Sequence, residues 1–555
     1  MLLFIVMTVL LLASAGFVYY TNRHGQPKGL IPAALANMGE RFGFYIMMAI
    51  LTLFISSKFG LNKTQTGLIY SVFYAAIYLL ALVGGIIADR TRNYKGTILA
   101  GLILMAVGYF IIAWPTETPV SNMAVILTLT CFGLLVIAFG NGLFKGNLQA
   151  VVGQLYDNEK YAKKRDVGFQ IFYMFINIGG FFAPFIAIGI RNWWLGKQGF
   201  AYNADLPELC HQWLRAADGG TAMTEQASGR LMELASQVSG GTAYTADTIG
   251  DFVNSYLNVF STGFHYAFAA AIVAMLISLV IFLANRRRLP DHSKKAAEKE
   301  SSDNAQAPTV EEVKMDAKEV RQRIYALFAV FAVVIFFWFS FHQNGYSLTY
   351  FARDYINLDV INIDLGFTQI VGAEIFQSVN PFFVVFLTPI IIGIFGWLRN
   401  RDKEPSTPMK IGIGMGIAAV AYIFLTICSA GLPTSEEVAA MGGLDASQRL
   451  SPLVMVAMYF ILTTAELFIS PLGLSFVSKV APPHLQGIMQ GCWLAATAIG
   501  NQLLFIGGIL YDSIPLWATW CVFVAACLIS MGAMLGMVRW LERITEGKKA
   551  ESKKA

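Results

Sequence analysis

Long apolar runs, each closed by a short polar stretch, make up most of this chain. Runs of about 20 residues, long enough to cross a hydrocarbon core as helices, fall near 30–57, 66–88, 95–114, 122–153, 167–190, 264–284, 323–350, 371–397, 408–429, 452–479, 485–511 and 516–540. The pattern predicts an all-α polytopic membrane protein of twelve core spans, because only helices satisfy their own backbone in lipid over such lengths. Six spans cover 30–190 and 264–284, and six cover 323–540. Between the two sets lies a polar linker at 285–322, opening with Arg286, Arg287 and Arg288, and a basic tail follows at 541–555. A loop insertion at 191–263 mixes acidic and small residues and is expected to form a small helical cap. Residues 1–20, MLLFIVMTVLLLASAGFVYY, are apolar as well. Ala13-Ser14-Ala15 allows a cleaved leader, but cleavage would leave Arg23, His24 and Lys28 on the unfavoured side. An extra spanning helix is therefore expected there.

Basic residues set the orientation. With residue 29 cytoplasmic, the inside loops hold Arg90, Arg92 and Lys95, then Lys160, Lys163, Lys164 and Arg165, then Arg286–Arg288, Arg399, Arg401, Lys403 and Lys479. The tail lysines Lys548, Lys549, Lys553 and Lys554 join them. The outside loops hold only Lys58, Lys63, Arg353 and Arg449 between short neighbours. Both ends of the twelve-span core are expected in the cytoplasm, in an integral plasma (inner) membrane protein.

Composition fits this reading. The chain is 56% hydrophobic and 14% charged, against roughly 25% charged in soluble domains. A net charge of +5, spread over loops, offers no stripe for nucleic acid. Six cysteines show no metal-ligand spacing, and Cys210 stands alone in a loop. No Ser/His/Asp set, HExxH or Walker loop is present, so the chain does not read as an enzyme, and no cofactor is expected.

Charged residues inside spans are then the informative ones. A charge at the bilayer centre costs on the order of 3 kcal/mol on insertion scales. Glu40 and Arg41 lie in the middle of the first span, Lys145 in the fourth and Glu466 in the tenth. Each is expected to face a shared aqueous cavity. Asn37, Arg41, Phe44, Tyr45 and Met48 share one helical face, which Glu40 borders. Glu374, close to a span end, is expected to face loop or interface.

Residues 84–95, GGIIADRTRNYK, end the second span. Gly84 and Gly85 allow close helix approach. Asp89 can pair near a neighbouring helix end, and Arg90 stays in the interface. This stretch resembles the signature loop of the major facilitator superfamily, which implies two six-helix halves with a binding site between them. Six further stretches resemble the proton-dependent oligopeptide transporter family: NMGERFGFY (37–45), FGNGLFKGNLQAVVGQLYD (139–157), KRDVGFQIFYMFINIGGFFAPF (164–185), FFWFSFHQNGYSLTYFA (336–352), FQSVNPFFVVFLTPI (376–390) and ELFISPLGLSFVSKVAPPHLQGIMQGCW (466–493).

The resemblance implies proton-driven import of di- and tripeptides by alternating access, with Arg41, Tyr45, Tyr78, Lys145, Asn177, Trp338, Asn380, Glu466 and Trp493 around the substrate. Asp89 and Arg90 then belong to a conformational loop. Arg41 and Lys145 suit a peptide carboxylate, Glu466 its ammonium, and the two asparagines its backbone. The match is incomplete where the family handles protons. Asn37 stands where the family motif has a leading Glu, and His342 replaces a seventh-span Glu. Proton exchange is therefore expected at Glu40, with His342 second. Peptide, protons and lipid are the expected partners of a monomer. Two alternatives stay open: a carrier of another anionic or zwitterionic solute not coupled to protons, and a sensor that binds without transport.

Overall fold

The computed structural model describes residues 2–552 except Arg23, His24, Arg92, Asn158, Lys163, 291–316, Pro483 and His484. The first half contains α2 (Leu30–Phe59), α3 (Lys63–Thr91), α4 (Tyr94–Ala113), α5 (Met123–Gln154), the short α6 (Glu159–Ala162), α7 (Arg165–Lys197) and α10 (Ile249–Asn285). Between α7 and α10 stand α8 (Leu206–Ala217) and α9 (Glu225–Val238), the expected cap. The second half contains α11 (Ala317–Phe341), α12 (Ser347–Tyr355), α13 (Val379–Arg399), α14 (Thr407–Cys428), α15 (Ser435–Met441), α16 (Leu453–Val480), α17 (Gln486–Gln502), α18 (Phe505–Ser513) and α19 (Leu516–Ser552). A two-residue hairpin, β1 (Ile363–Asp364) with β2 (Gln369–Ile370), lies before α13. Twelve helical segments among the described residues are long and apolar enough to cross a membrane.

Several boundaries move. α7 runs past 190 and α10 starts well before 264, so the insertion is shorter than its apolar edges suggested. The spans continue through Arg191 and Asn192 because these polar residues are buried against the other half. The predicted linker falls mostly on 291–316, outside the described residues, while Arg286–Arg288 form one 3₁₀ turn. α19 continues through most of the predicted tail. The N-terminal apolar stretch forms α1 (Leu2–Asn22), which packs on α7 and α13 with Met7 and Leu11 buried.

Two predicted spans are broken. The seventh changes from α11 to a 3₁₀ turn at His342–Gly345 before α12 resumes. Side chains satisfy the backbone that the break frees, as a membrane interior demands. The Asn344 carbonyl accepts from Gln377 Nε2 at 2.5 Å and Tyr459 Oη at 3.1 Å. Gln343 Nε2 reaches the Leu504 carbonyl at 3.3 Å, at the second break, between α17 and α18.

Small residues bring helices together. A Cβ on Gly84 would lie 2.1 Å from the Gly142 carbonyl oxygen, and Asn147 Nδ2 donates to the Gly84 carbonyl at 3.1 Å. Gly101 and Gly140 make the same close approach between α4 and α5. Gly85 does not share this role: a Cβ there meets nothing within 4 Å, because it points away from α5. Gly84→Ala should therefore lower the melting temperature in detergent, overpacking costing roughly 1–3 kcal/mol, while Gly85→Ala leaves it unchanged.

The two halves meet through α3 against α17 and α18, and through α7 against α13. Among the described residues four ion pairs tie one half to the other, and these four lie at the end that carries the cap. Lys63 pairs with Asp512 at 3.1 Å, Arg230 with Asp445 at 3.1 Å and Arg449 with Asp205 at 2.6 Å. The fourth, Arg191 with Glu374, is sealed in the protein. The cap end is closed.

Candidate functional site

Glu40 and Arg41 sit together in the first half. Both oxygens of Glu40 accept from Arg41, Nε at 2.5 Å and Nη2 at 2.8 Å, and Asn141 Nδ2 donates to Glu40 Oε1 at 2.7 Å. Glu40 is therefore fully enclosed rather than bordering the open face. One edge of the Arg41 fork is occupied by Glu40, and the guanidinium carbon lies 4.7 Å over the Phe44 ring. A second acid could take only the remaining Nη donors while that pair holds.

Lys145 is half-buried on α5, its Nζ 4.9 Å over the Tyr78 ring, and it feels both Arg41 and Glu40. Glu466 is half-buried on α16 in the other half. Asn380 Nδ2 donates to it at 2.8 Å and to Thr463 Oγ1 at 2.9 Å, so this amide orients the carboxylate. Asn177 Nδ2 donates to the Tyr173 carbonyl on its own helix at 3.0 Å. The amide nitrogens of Asn177 and Asn380 are thus engaged by the protein.

Three tyrosines connect the halves. Tyr45, Tyr78 and Tyr173 come from α2, α3 and α7, yet Glu466 lies within electrostatic reach of each. Tyr173 stands among these groups with 48% of its surface exposed. Tyr173 thus stands near the Glu466 carboxylate of the second half together with Tyr45 and Tyr78 of the first. Arg41 and Glu466 both reach Tyr78, over whose ring Lys145 is placed.

His342 sits on the seam. Its ring stacks on Trp338 at 4.8 Å, lies 4.6 Å from Tyr74 of the other half, and Nδ1 meets Asn501 Oδ1 at 2.5 Å. Lys145 is within its electrostatic reach. Trp338 and Trp493 are almost fully buried, Trp493 against Gly473 and Phe331. They are packing residues of the second half rather than open surfaces. Asp89 and Arg90 are exposed at the far end from the cap, where Tyr94, the first residue of α4, donates to Asp89.

Sequence reasoning missed several of these residues. Asn141 lies four residues before Lys145, so helical spacing alone puts the two on one face. Tyr173 stands within 164–185, where nothing in the local sequence separates it from the neighbouring aromatics. The expectation for Glu374 is overturned: it is fully buried against Arg191, itself stacked over Tyr202 at 4.3 Å. The burial arises because Arg191 and Glu374 come from opposite halves, which sequence position does not reveal.

Comparison with known proteins gives consistent matches. Residues 95–302 and 288–511 match the POT family. The peptide transporter YePEPT of Yersinia enterocolitica is 27% identical over 540 residues, covering 94% of this chain and 96% of that protein. The di-/tripeptide transporter of Lactococcus lactis subsp. cremoris is 27% identical, covering 86% and 88%. Among solved structures, the peptide transporter POT in complex with sulfate superposes with a TM-score of 0.66 at 23% identity, over 94% of this chain and 96% of that one.

Proposed function

This chain belongs to the POT family of transporters, and on that footing we propose that it imports di- and tripeptides by proton symport as a monomer in the plasma (inner) membrane, with the cap outside and the termini of the twelve-span core in the cytoplasm. Peptide transport follows from membership: relatives spanning nearly its whole length are peptide and di-/tripeptide transporters. The observation that supports the mechanism is the pair of opposite charges on opposite halves. Arg41 and Lys145 exceed Glu40 by one positive charge in the first half, and Glu466 stands across the tyrosines in the second. A zwitterion laid between them meets a cation at its carboxylate and an anion at its ammonium, and so draws the halves together.

The Glu40–Arg41 pair links this to protons. While Glu40 is ionised it holds two Arg41 donors. A proton on Glu40 releases that edge for the peptide carboxylate, so proton and peptide favour the same state. Inward movement of one charge through 100 mV contributes about 2.3 kcal/mol. With the cap end closed, the chamber is read as facing the cytoplasm. Tyr45 and Tyr78 bound the side-chain space, Asn380 holds Glu466, Trp338 and Trp493 stiffen the wall, Asn177 steadies α7 beside Tyr173, and the loop at Asp89 and Arg90 hinges on α4. His342, pressed between Trp338 and Tyr74, is the second proton site in this reading.

Uptake of dialanine into proteoliposomes, with and without an imposed pH gradient, tests the proposal. Accumulation that requires the gradient supports it. Uptake indifferent to the gradient favours a second reading, an uncoupled carrier, to which the Asn37 and His342 substitutions point. An unchanged pH profile in both Glu40→Gln and His342→Ala would remove proton exchange from these two residues.

A further inference from the structure

We infer that the α8–α9 cap is a clasp, rooted in the first half and hooked onto α15 and the turn that follows it in the second, which must let go each time the cap end opens. The inference rests on the alternating-access reading above. The cap's roots are on one side only. His211 Nε2 meets the Ser57 carbonyl at 2.6 Å, Arg215 Nη1 donates to the Gly60 carbonyl at 3.3 Å, and Tyr256 Oη accepts from the Asn203 amide at 3.2 Å. Ser57, Gly60 and Tyr256 belong to α2, its end and α10, so the cap moves with the first half.

Its outer face holds the other half. Asp205 pairs with Arg449 at 2.6 Å, and both side chains are nearly buried. Arg449 is fixed from behind, with Nε donating to the Leu444 carbonyl at 2.9 Å and Nη1 to the Arg353 carbonyl at 3.0 Å, so its Nη2 is aimed at the cap. Arg230 pairs with Asp445 at 3.1 Å, and Thr224 Oγ1 and Gln212 Nε2 donate to the carbonyls of Ala440 and Ala439. The gripped loop fits closely. Gly442 and Gly443 have φ of +78° and +106°, and a Cβ on Gly443 would lie 2.7 Å from the Asp205 carboxyl. Burial pushes the Asp205 carboxyl above the usual range while Arg449 pulls it down, the balance expected of a desolvated pair. A rim that separates by rocking cannot keep these bonds, since one partner of each travels with each half.

A reversible bridge tests the clasp. In a cysteine-free background, Arg230→Cys and Asp445→Cys are joined with a short bis-methanethiosulfonate reagent that reductant cleaves. The bridged protein should lose gradient-driven dialanine uptake and regain it on reduction, while still binding dialanine in detergent. Simple structural support by the cap would not give a reversible loss of uptake with binding kept. Thr224→Cys with Ala440→Cys bridges the same seam and is read the same way if the first pair does not fold. Full uptake by the bridged protein, or no bridge in a variant that transports, overturns the clasp and leaves transport standing. No uptake by the unaltered protein overturns the transport reading and the clasp together.

Discussion

Glu40→Gln should leave a protein that exchanges peptide across the membrane but no longer concentrates it. The substitution keeps the shape and one oxygen, and removes the charge that grips two donors of Arg41. It also turns an amide toward Asn141 Nδ2, which now donates to the carboxylate. Removing one partner of a buried pair typically costs 3–5 kcal/mol, about the figure measured when the other charge is left uncompensated. Here the charge left behind is Arg41, and a peptide carboxylate can occupy its freed edge. Binding and exchange should therefore survive, while release on the cytoplasmic side no longer depends on a proton. Counterflow of labelled dialanine near the normal rate, with accumulation under a pH gradient lost, is the expected pair of results. Asn141→Ala should act the same way more weakly, since it removes one donor and leaves the pair.

The second large effect concerns which end of the peptide each half holds. Glu466→Gln should raise the KM for dialanine by about 30-fold, the equivalent of roughly 2 kcal/mol for one hydrogen bond to a charged group. Its effect on N-acetyl dialanine, which has no ammonium, should be small. Lys145→Ala should show the reverse preference, harming dialanine more than its C-terminal amide. The contrast matters more than either number. A purely structural Glu466, serving only to hold the Asn380 amide, would weaken both substrates alike.

How much of this the sequence disclosed follows from what each feature depends on. The spans were legible because lipid demands a run of apolar residues, and a run is a local property. Glu40, Arg41, Lys145 and Glu466 stood out for the same reason, as charges within such runs. Features that depend on a partner from the other half were hidden. Arg191 and Glu374 each lie near a span end, where a charge is cheap, and only the packing of α7 on the turn before α13 makes them a buried pair. The break in the seventh span has no proline to announce it. Gly345 marks it, because a Cβ there would lie 2.1 Å from Tyr70 Oη of the other half. Gly84 and Gly85 look alike in sequence, and only the direction of α5 separates their roles. Tyr173 shows the limit most clearly: an aromatic in an apolar run faces lipid or water according to how its helix is turned, and that turn is a tertiary fact.

Tyr173 also provides the most direct test. In a cysteine-free background, Tyr173→Cys is treated with a membrane-impermeant maleimide from the side opposite the cap, with and without dialanine. If charged groups of both halves enclose one wet chamber, the thiol reacts readily and dialanine protects it, an effect lost when Glu466→Gln is added. A thiol that reacts only with lipid-soluble reagents, or whose labelling dialanine does not alter, would contradict the account.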